Sequence, residues 1–597
     1  MPKLNLYFPR FNFFSNLRNY DKGHFSKDLA AGFNVALLAI PQGMAYSLVA
    51  GLPIQYGLLG SAIAAIAGGL FGGGKFITQG PTNATAVLLF GVFAAAGLLG
   101  PNGLASQAGL DLLPLVLACS AIILFTACIF RVSFIVQFVS RTVITGYITA
   151  AACLILANQT RHVLGISNVD ESPSSTFLGI LYFLSRHLEQ VSLHTIGLSI
   201  FTGVIYIVLY TWSSSLPNVA ISLIAASLAG WGLSNLGIEV LCLQNFSANG
   251  NFIQVPDLGL VFSHGPLIFS ASMAVCLLCL LEGLSIGKSL LARSGSRLDS
   301  NQETFSIGMG NLGCSLFAGM PASGSLTRST LNVESGAQTN LANIIAGALI
   351  LAGFWVLGDL VCYIPLCSLA TVVMFIGLSL IKVRQIKTVS RASRSDAFAF
   401  IITFLVGLSF SLQMAIFAGV ITSILLFLRK VAQPQLVEYG YTNEGTLTEA
   451  SIHTKRPEPE VSIVHVEGEL FFGAADLFYD QIRRVGEDPN LKVLVLKMLN
   501  AHHLDATSVL ALEELLESLK EKNCHVLLCE VRKDFLRILK NSGVLSRINR
   551  RNIFPHIASN PTLSTAKAIK RAKQLVDGAA AKVTIYADQV GSTKSKP

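Results

Sequence analysis

Two short segments set turn-forming and hydroxyl residues among apolar ones. Gly80-Pro81-Thr82-Asn83-Ala84-Thr85 opens the apolar run 81–99, and Pro321-Ala322-Ser323-Gly324-Ser325-Leu326-Thr327-Arg328 opens a helical run, 325–332, too short to cross a bilayer. A helix N-terminus carries about half a positive charge and unpaired N–H donors. Two of them aimed into one small space suit an oxyanion without a metal. Arg328, one turn into the second half-helix, adds a full charge. Glu282, inside Leu277-Leu278-Cys279-Leu280-Leu281-Glu282-Gly283, is the opposite charge. An ionised side chain at the bilayer centre costs at least about 2.5–3.5 kcal/mol, so each is expected to find a partner, here the other. An anion competing for Arg328 would raise the proton affinity of Glu282 and so link anion binding to proton uptake. A buried ion pair that only fixes helix positions is the alternative. Pro81 fits a first helical turn, and Ser323 and Ser325 fit caps. Gln42 and Tyr46, four residues apart, share one helix face. Thr78, Gln79, Asn83 and Thr85 read equally well as ordinary caps.

The elements that position these residues follow from composition. Of 597 residues 52% are hydrophobic and 13% charged, with a mean hydropathy of +0.59. Soluble proteins carry about 25% charge, so most of this chain belongs in lipid. Secreted disulfide scaffolds, disordered regulators and free cytosolic enzymes are excluded. The net charge of +9 does not gather into a nucleic-acid patch. Arg131, Arg141 and Arg429-Lys430 end apolar segments, as cations on a cytoplasmic face do. No cleavable leader is visible in the polar, basic first 27 residues.

Apolar runs near the required 20 residues recur at about 28–50, 56–74, 81–99, 112–130, 141–157, 194–212 and 217–236. A second series covers 267–291, 304–319, 325–332, 339–358, 366–382, 395–412 and 413–430. Seven plus seven gives fourteen segments, with both termini on the cytoplasmic side. The two broken runs are third in each series, the pattern of an inverted repeat with a binding site between the breaks.

Beyond a linker at 433–459, residues 460–577 alternate strand and helix as a small α/β domain. A cytosolic N-terminal segment (1–27), the transmembrane domain (28–432) and a disordered tail (578–597) complete the division. Cys276-x-x-Cys279 lies in a lipid-type helix with no second pair. His502 and His503 would point to opposite faces of a strand, so neither group forms a metal site. No P-loop, dinucleotide fingerprint or nucleophile–base pair is present. The chain reads as neither an enzyme nor a cofactor protein, and its C-terminal domain as an interaction or regulatory module.

The chain resembles the sulfate permease (SulP/SLC26) family of anion transporters over nearly its whole length. The likeness rests on Ala39-Ile40-Pro41-Gln42-Gly43-Met44-Ala45-Tyr46, Gly80-Pro81-Thr82, Phe138–Gly146, Asp299-Ser300-Asn301-Gln302-Glu303 and, most strongly, Pro321–Thr330. It implies a mostly α membrane protein with fourteen segments in a 7+7 inverted repeat. Core (segments 1–4 and 8–11) and gate (5–7 and 12–14) would move in an elevator fashion, followed by a cytosolic STAS domain engaged in dimer assembly and regulation. It also implies an anion site built from Gln42, Tyr46, Thr82, Ser325, Leu326 and Thr327, with Arg328 as counter-charge and Glu282 as coupling carboxylate. In Asp505-Ala506-Thr507-Ser508, Thr507 or Ser508 matches a phosphorylated position of related STAS domains, simple helix capping being the other reading. Sodium-coupled bicarbonate members hold sodium with an Asp and hydroxyls on the eighth helix. Here Glu282, followed by Ile286 and close to Arg328, favours a proton over sodium. Tyr46 and Thr82 in place of two phenylalanines resemble the sulfate-transporting members.

The expectation is a homodimeric, proton-coupled sulfate importer, multi-pass in a plasma or inner cell membrane and in contact with its lipid. Its termini face the cytoplasm, and its STAS domain is open to a cytosolic partner. Bicarbonate, chloride or dicarboxylate exchange or symport on the same scaffold is the nearest alternative, and a STAS-linked membrane sensor a more distant one.

Overall fold

The computed structural model describes residues 6–11, 20–100, 104–132, 140–166, 176–212, 218–243, 252–294, 298–358, 361–432, 435–441, 447–449, 459–558 and 560–577. The tail expected at 578–597 lies outside them, as do Phe138 and Val139. Two compact units divide the chain, Met1–Ile424 and Leu425–Pro597.

The first unit is helical. Its elements are α1 (Lys22–Val49), α2 (Ile54–Phe71), β1 (Gln79–Gly80), α3 (Asn83–Ala95), α4 (Gln107–Ile129), α5 (Arg141–Leu164), α6 (Phe177–Arg186), α7 (Leu193–Trp212), α8 (Asn218–Asn235) and α9 (Gly259–Ser294). There follow α10 (Ser300–Leu316), β2 (Ser323–Gly324), α11 (Leu326–Glu334), α12 (Leu341–Leu357), α13 (Leu366–Leu380), α14 (Val383–Ala392), α15 (Arg394–Ser409) and α16 (Leu412–Val431). Among the described residues, eight helical stretches are long and apolar enough to cross a membrane by length and composition, one of them, Leu366–Ala392, taking in both α13 and α14. Helices suit lipid because each satisfies its own backbone N–H and C=O groups. The short α6 and the basic α14 have no counterpart among the apolar runs of the sequence.

Packing sorts these helices into two groups. Helix α12 packs on α1 and α2, α10 on α2 and α4, and α9 on α4, whereas α5 packs on α13 and α15, and α7 on α8 and α13. One close approach within the first group is between glycines. A Cβ placed on Gly57 of α2 would stand 1.9 Å from the Gly43 carbonyl oxygen of α1. The two backbones therefore touch as small residues allow in membrane helices.

Polar side chains in this unit are matched to loose backbone ends. Asp299 caps α10 by accepting from the Asn301 and Gln302 N–H groups. Gln302 donates to the Phe71 carbonyl at the end of α2 (2.8 Å). Glu303 accepts from the Gly73 and Gly74 N–H groups (2.9 and 3.3 Å) and from Gln79 Nε2 (3.1 Å). Asp28, fully buried, accepts from the N–H groups of Gln338 and Thr339 and from the Thr339 hydroxyl. Glu303 and Asp28 thereby each tie a loop of one half of the unit to a helix of the other.

The second unit is a seven-stranded α/β domain. Its elements are β3 (Gln435–Tyr441), β4 (Leu447–Glu449), β5 (Val461–Glu469), α17 (Phe472–Val485), β6 (Val493–Lys497), β7 (Ala501–His502), α18 (Ala506–Glu521), β8 (His525–Val531), α19 (Lys533–Asn541), β9 (Ile553–Pro555) and α20 (Pro561–Asp577). Strand order is β4-β3-β5-β6-β8-β9, with β5, β6, β8 and β9 parallel and β7 beside β5. Side chains alternate between two cores. Val464, Val466, Leu494, Leu496 and Leu528 join Phe478, Leu512 and Leu515 of α17 and α18, while Ile463, Val493, Val495 and Leu527 meet Ala568, Ile569 and Ala572 of α20. Helices cover both faces, as parallel strands require. Here the sheet corrects the expected boundary: β3 lies within the stretch read as linker, 433–459, and pairs antiparallel with β5 from Gln435↔Glu467 to Tyr439↔Ile463. Its Pro- and Gly-rich surroundings hid it. The closing helix α20 was likewise not legible as a separate element.

A Gly57→Ala substitution is expected to force α1 and α2 apart and destabilise the first unit by about 1–3 kcal/mol, the usual cost of overpacking. A fall in melting temperature of the detergent-solubilised protein checks this; an unchanged value contradicts the close approach.

Candidate functional site

The two broken segments meet. β1 and β2 pair antiparallel, Gln79 opposite Gly324 and Gly80 opposite Ser323. Helices α3 and α11 begin just beyond this two-residue ribbon, at Asn83 and Leu326, with their N-termini beside it. The Ser325 N–H extends the pairing to the Thr78 carbonyl oxygen (2.9 Å). Thr82 is the N-cap of α3, in a reciprocal capping box with Thr85. Pro81 therefore precedes the helix instead of opening its first turn: the Thr82 hydroxyl takes the Thr85 N–H, and that fixes where α3 begins. Ser325 is the N-cap of α11 without a side-chain bond to the helix. Its hydroxyl lies 3.4 Å from that of Thr327. Ser323 does not cap; its hydroxyl donates to the Cys279 carbonyl of α9.

Arg328 is fully buried. Its Nε donates to Gln42 Oε1 and its Nη2 to the Pro81 carbonyl oxygen, both at 3.3 Å. The remaining nitrogen, Nη1, has no hydrogen-bond partner among the described residues. A glycine makes this position possible: a Cβ on Gly80 would stand 2.0 Å from Nη1. The guanidinium is thus laid against the bare backbone of β1.

Glu282 corrects the sequence reading. No ion pair joins it to Arg328 among the described residues. Its Oε2 instead accepts from the Thr82 hydroxyl (2.8 Å), and Ser323 also lies beside the carboxylate. The physical reason is the ribbon itself. The Thr82 hydroxyl bonds the carboxylate, and two uncharged oxygens, of Gln42 and Pro81, take N–H groups of the guanidinium, so the two charges have separate partners. Tyr46, buried, lies within electrostatic range of both charges. Gln42, Tyr46, Thr82, Ser325 and Arg328 are therefore gathered around one crossing. Leu326 and Thr327 are exposed at the start of α11.

Several supporting residues escaped the sequence reading. Asn343 of α12 accepts from the Thr78 hydroxyl (2.7 Å) and from Asn332, and donates to the Ile77 carbonyl oxygen. Asn311 of α10 donates to the Ala322 carbonyl oxygen and accepts its N–H. Tyr147 of α5 donates to the Ala84 carbonyl oxygen in the first turns of α3. Gln79, read as a cap, instead donates to Glu303 and Ser306. The signal was the one that singled out Glu282: a polar residue inside an apolar run, where it acts as glue between helices.

In the C-terminal unit, Asp505 caps α18 and accepts from the N–H groups of Ser508 (2.9 Å) and Phe472 (2.7 Å). Burial works against the charge, but those N–H bonds outweigh it and hold the carboxyl below its ordinary range. Thr507 is exposed and Ser508 is buried. His502 meets Arg532 and His503 meets Glu469, so the adjacent histidines turn to different partners. Among the described residues no group of three or more His, Cys, Asp and Glu side chains could hold a metal.

Comparison with known proteins places this geometry. Residues 25–403 match the sulfate permease family and residues 454–560 the STAS domain. The Sodium-independent sulfate anion transporter of Bos taurus is 26% identical over 554 residues, covering 87% of this chain and 85% of its own. Sulfate transporter 4.1, chloroplastic, of Arabidopsis thaliana is 25% identical over 555 residues, covering 89% and 79%. The fold is similar to that of the murine Solute Carrier 26 family member A9 anion transporter in its inward-facing state, with a TM-score of 0.82 at 18% identity over 94% of each chain. Taken with the paired broken segments around Arg328, the match over 25–403 shows that this chain belongs to the sulfate permease (SulP/SLC26) family of multi-pass membrane anion transporters, with a C-terminal STAS domain.

Proposed function

We propose that the protein is a proton-coupled sulfate importer whose anion site lies at the β1–β2 crossing. The observation that carries this reading is Arg328: fully buried, with Nη1 unsatisfied and no carboxylate partner among the described residues. Removing such an ion from water costs several kcal/mol. Two 3.3 Å hydrogen bonds to uncharged oxygens, worth about 1.5–3 kcal/mol each at good geometry, leave part of that cost standing. An anion between the N-termini of α3 and α11 offsets it. Gln42, Tyr46, Thr82, Ser325, Leu326 and Thr327 line the site, with Ser325 and Thr327 and the first N–H groups of α11 supplying donors.

Coupling follows from Glu282 without direct contact to Arg328. An anion that draws the Thr82 hydroxyl toward itself removes the donor that stabilises the charged carboxylate. Glu282 then takes a proton, and anion and proton travel together. The helix group holding α1–α4 and α9–α12 acts as the core and the group around α5 and α13 as the gate, related by a fourteen-segment inverted repeat and moving as an elevator. The basic ends at Arg131, Arg141 and Arg429-Lys430 put both termini in the cytoplasm of a plasma or inner membrane. The STAS unit serves homodimer assembly and a cytosolic partner. Thr507, with its exposed hydroxyl, is the regulatory phosphosite in preference to the buried Ser508.

Three outcomes test this reading. Arg328→Ala is expected to lower sulfate affinity at least tenfold in proteoliposomes of unchanged protein content; unaltered affinity would remove Arg328 from the site. Glu282→Gln is expected to abolish accumulation driven by an inward proton gradient while sparing sulfate–sulfate exchange, and retained gradient-driven uptake contradicts the coupling role. Truncation after residue 432, ahead of β3, is expected to reduce the dimer fraction in size-exclusion chromatography with the substrate ranking preserved.

A further inference from the structure

We infer that the basic stripe of α14 binds the anionic headgroups of membrane phospholipids. This helix lies between α13 and α15 and has no buried residue. Arg384, Lys387 and Arg391 follow one another at i, i+3 and i+7, so they form one stripe. All three are exposed. Lys382 and Arg394 flank the helix, and no acidic residue occurs between Lys382 and Ser395. None of the five cations makes an ion pair among the described residues. On another face, Ile386 and Val389 are half-buried, and the helix packs on α15 and α5.

The level of α14 in the membrane follows from its neighbours. Asp396 in the first turn of α15 lies 3.5 Å from the Ser140 hydroxyl, which caps α5. Helix α14 therefore sits at the Arg141 end of α5. At the opposite ends of the gate helices, residues 358–368 and 409–414 contain no Lys or Arg, and the last turn of α5 carries a single arginine, the buried Arg161. Such asymmetry marks the face toward the anionic leaflet. A short helix with a half-buried apolar side and an exposed basic side lies in the interface plane at headgroup depth, where each cation is worth about 1 kcal/mol. A phospholipid phosphate is the anion present at that depth in quantity, and charge complementarity selects it. Assignment to the cytoplasmic leaflet rests on the orientation proposed above; headgroup binding itself does not.

The test uses the full chain in nanodiscs of mixed phosphatidylcholine and phosphatidylglycerol, with retained lipids counted by native mass spectrometry. Wild-type protein is expected to retain phosphatidylglycerol preferentially, and the triple variant Arg384→Gln/Lys387→Gln/Arg391→Gln to lose that preference, roughly fivefold per charge removed. The charge-keeping variant Arg384→Lys/Arg391→Lys is expected to retain it, which separates lost charge from lost folding. Equal retention by wild type and triple variant overturns the inference. So does a wild type without preference whose Lys387 cross-links to carboxylates of the C-terminal unit, since the stripe would then be covered by this chain. These nanodiscs present phosphatidylglycerol in each leaflet, so failure here leaves the proposed orientation and the sulfate site untouched.

Discussion

The seating of one guanidinium against a side-chain-free backbone governs the membrane unit. Arg328 occupies space that any Cβ at position 80 would take, and it bonds to the carbonyl oxygen of Pro81 and to Gln42. This holds β1, the first turn of α11 and the C-terminal half of α1 in one place. The ribbon in turn needs its own anchors, since two residue pairs of antiparallel strand cannot stand alone. Glu303 and Ser306 hold Gln79, Asn343 holds Thr78 and Ile77, and Asn311 holds Ala322. Polar groups that would be costly in lipid are thereby spent on fixing two interrupted helices at one depth.

Separation of the two charges gives the site its character. Had Glu282 met Arg328, the pair would neutralise itself, and an anion would have to displace a carboxylate. With Glu282 bonded to Thr82, the arginine has no carboxylate at ion-pair distance among the described residues, while the carboxylate depends on a neutral donor. That is a weaker hold on its charge than a guanidinium would provide. The arrangement suits a carrier, which must release what it binds, better than a permanent structural pair.

The STAS unit shows a different economy. Its central strands are buried on both faces, and the polar residues among them are individually bonded, as Ser462 is to Glu438 (2.6 Å). Asp505 links the starts of α17 and α18 by accepting N–H groups from both. A modification at Thr507 would place negative charge at the N-terminus of α18, which the helix dipole favours, yet next to the Asp505 carboxylate, which opposes it. The balance lies in the local contacts of that turn.

The broad layout was written in the amino-acid sequence, because solvent leaves the plainest mark on composition. Sparse charge and long apolar runs announced a membrane protein, strand–helix alternation after residue 460 announced an α/β domain, and turn residues inside apolar runs singled out the two breaks and Arg328. What the sequence could not carry was pairing. Glu282 and Arg328 are 46 positions apart and of opposite sign, so charge alone predicts an ion pair. Only the antiparallel crossing of β1 and β2, which sets Thr82 beside Glu282 and Pro81 beside Arg328, decided otherwise. The strand β3 was hidden for a related reason. Its short, polar-flanked sequence looks like a linker until β5 supplies the hydrogen-bonding edge that makes it a strand. Composition reports the solvent a segment lives in, and long-range contacts choose among partners that composition leaves equivalent.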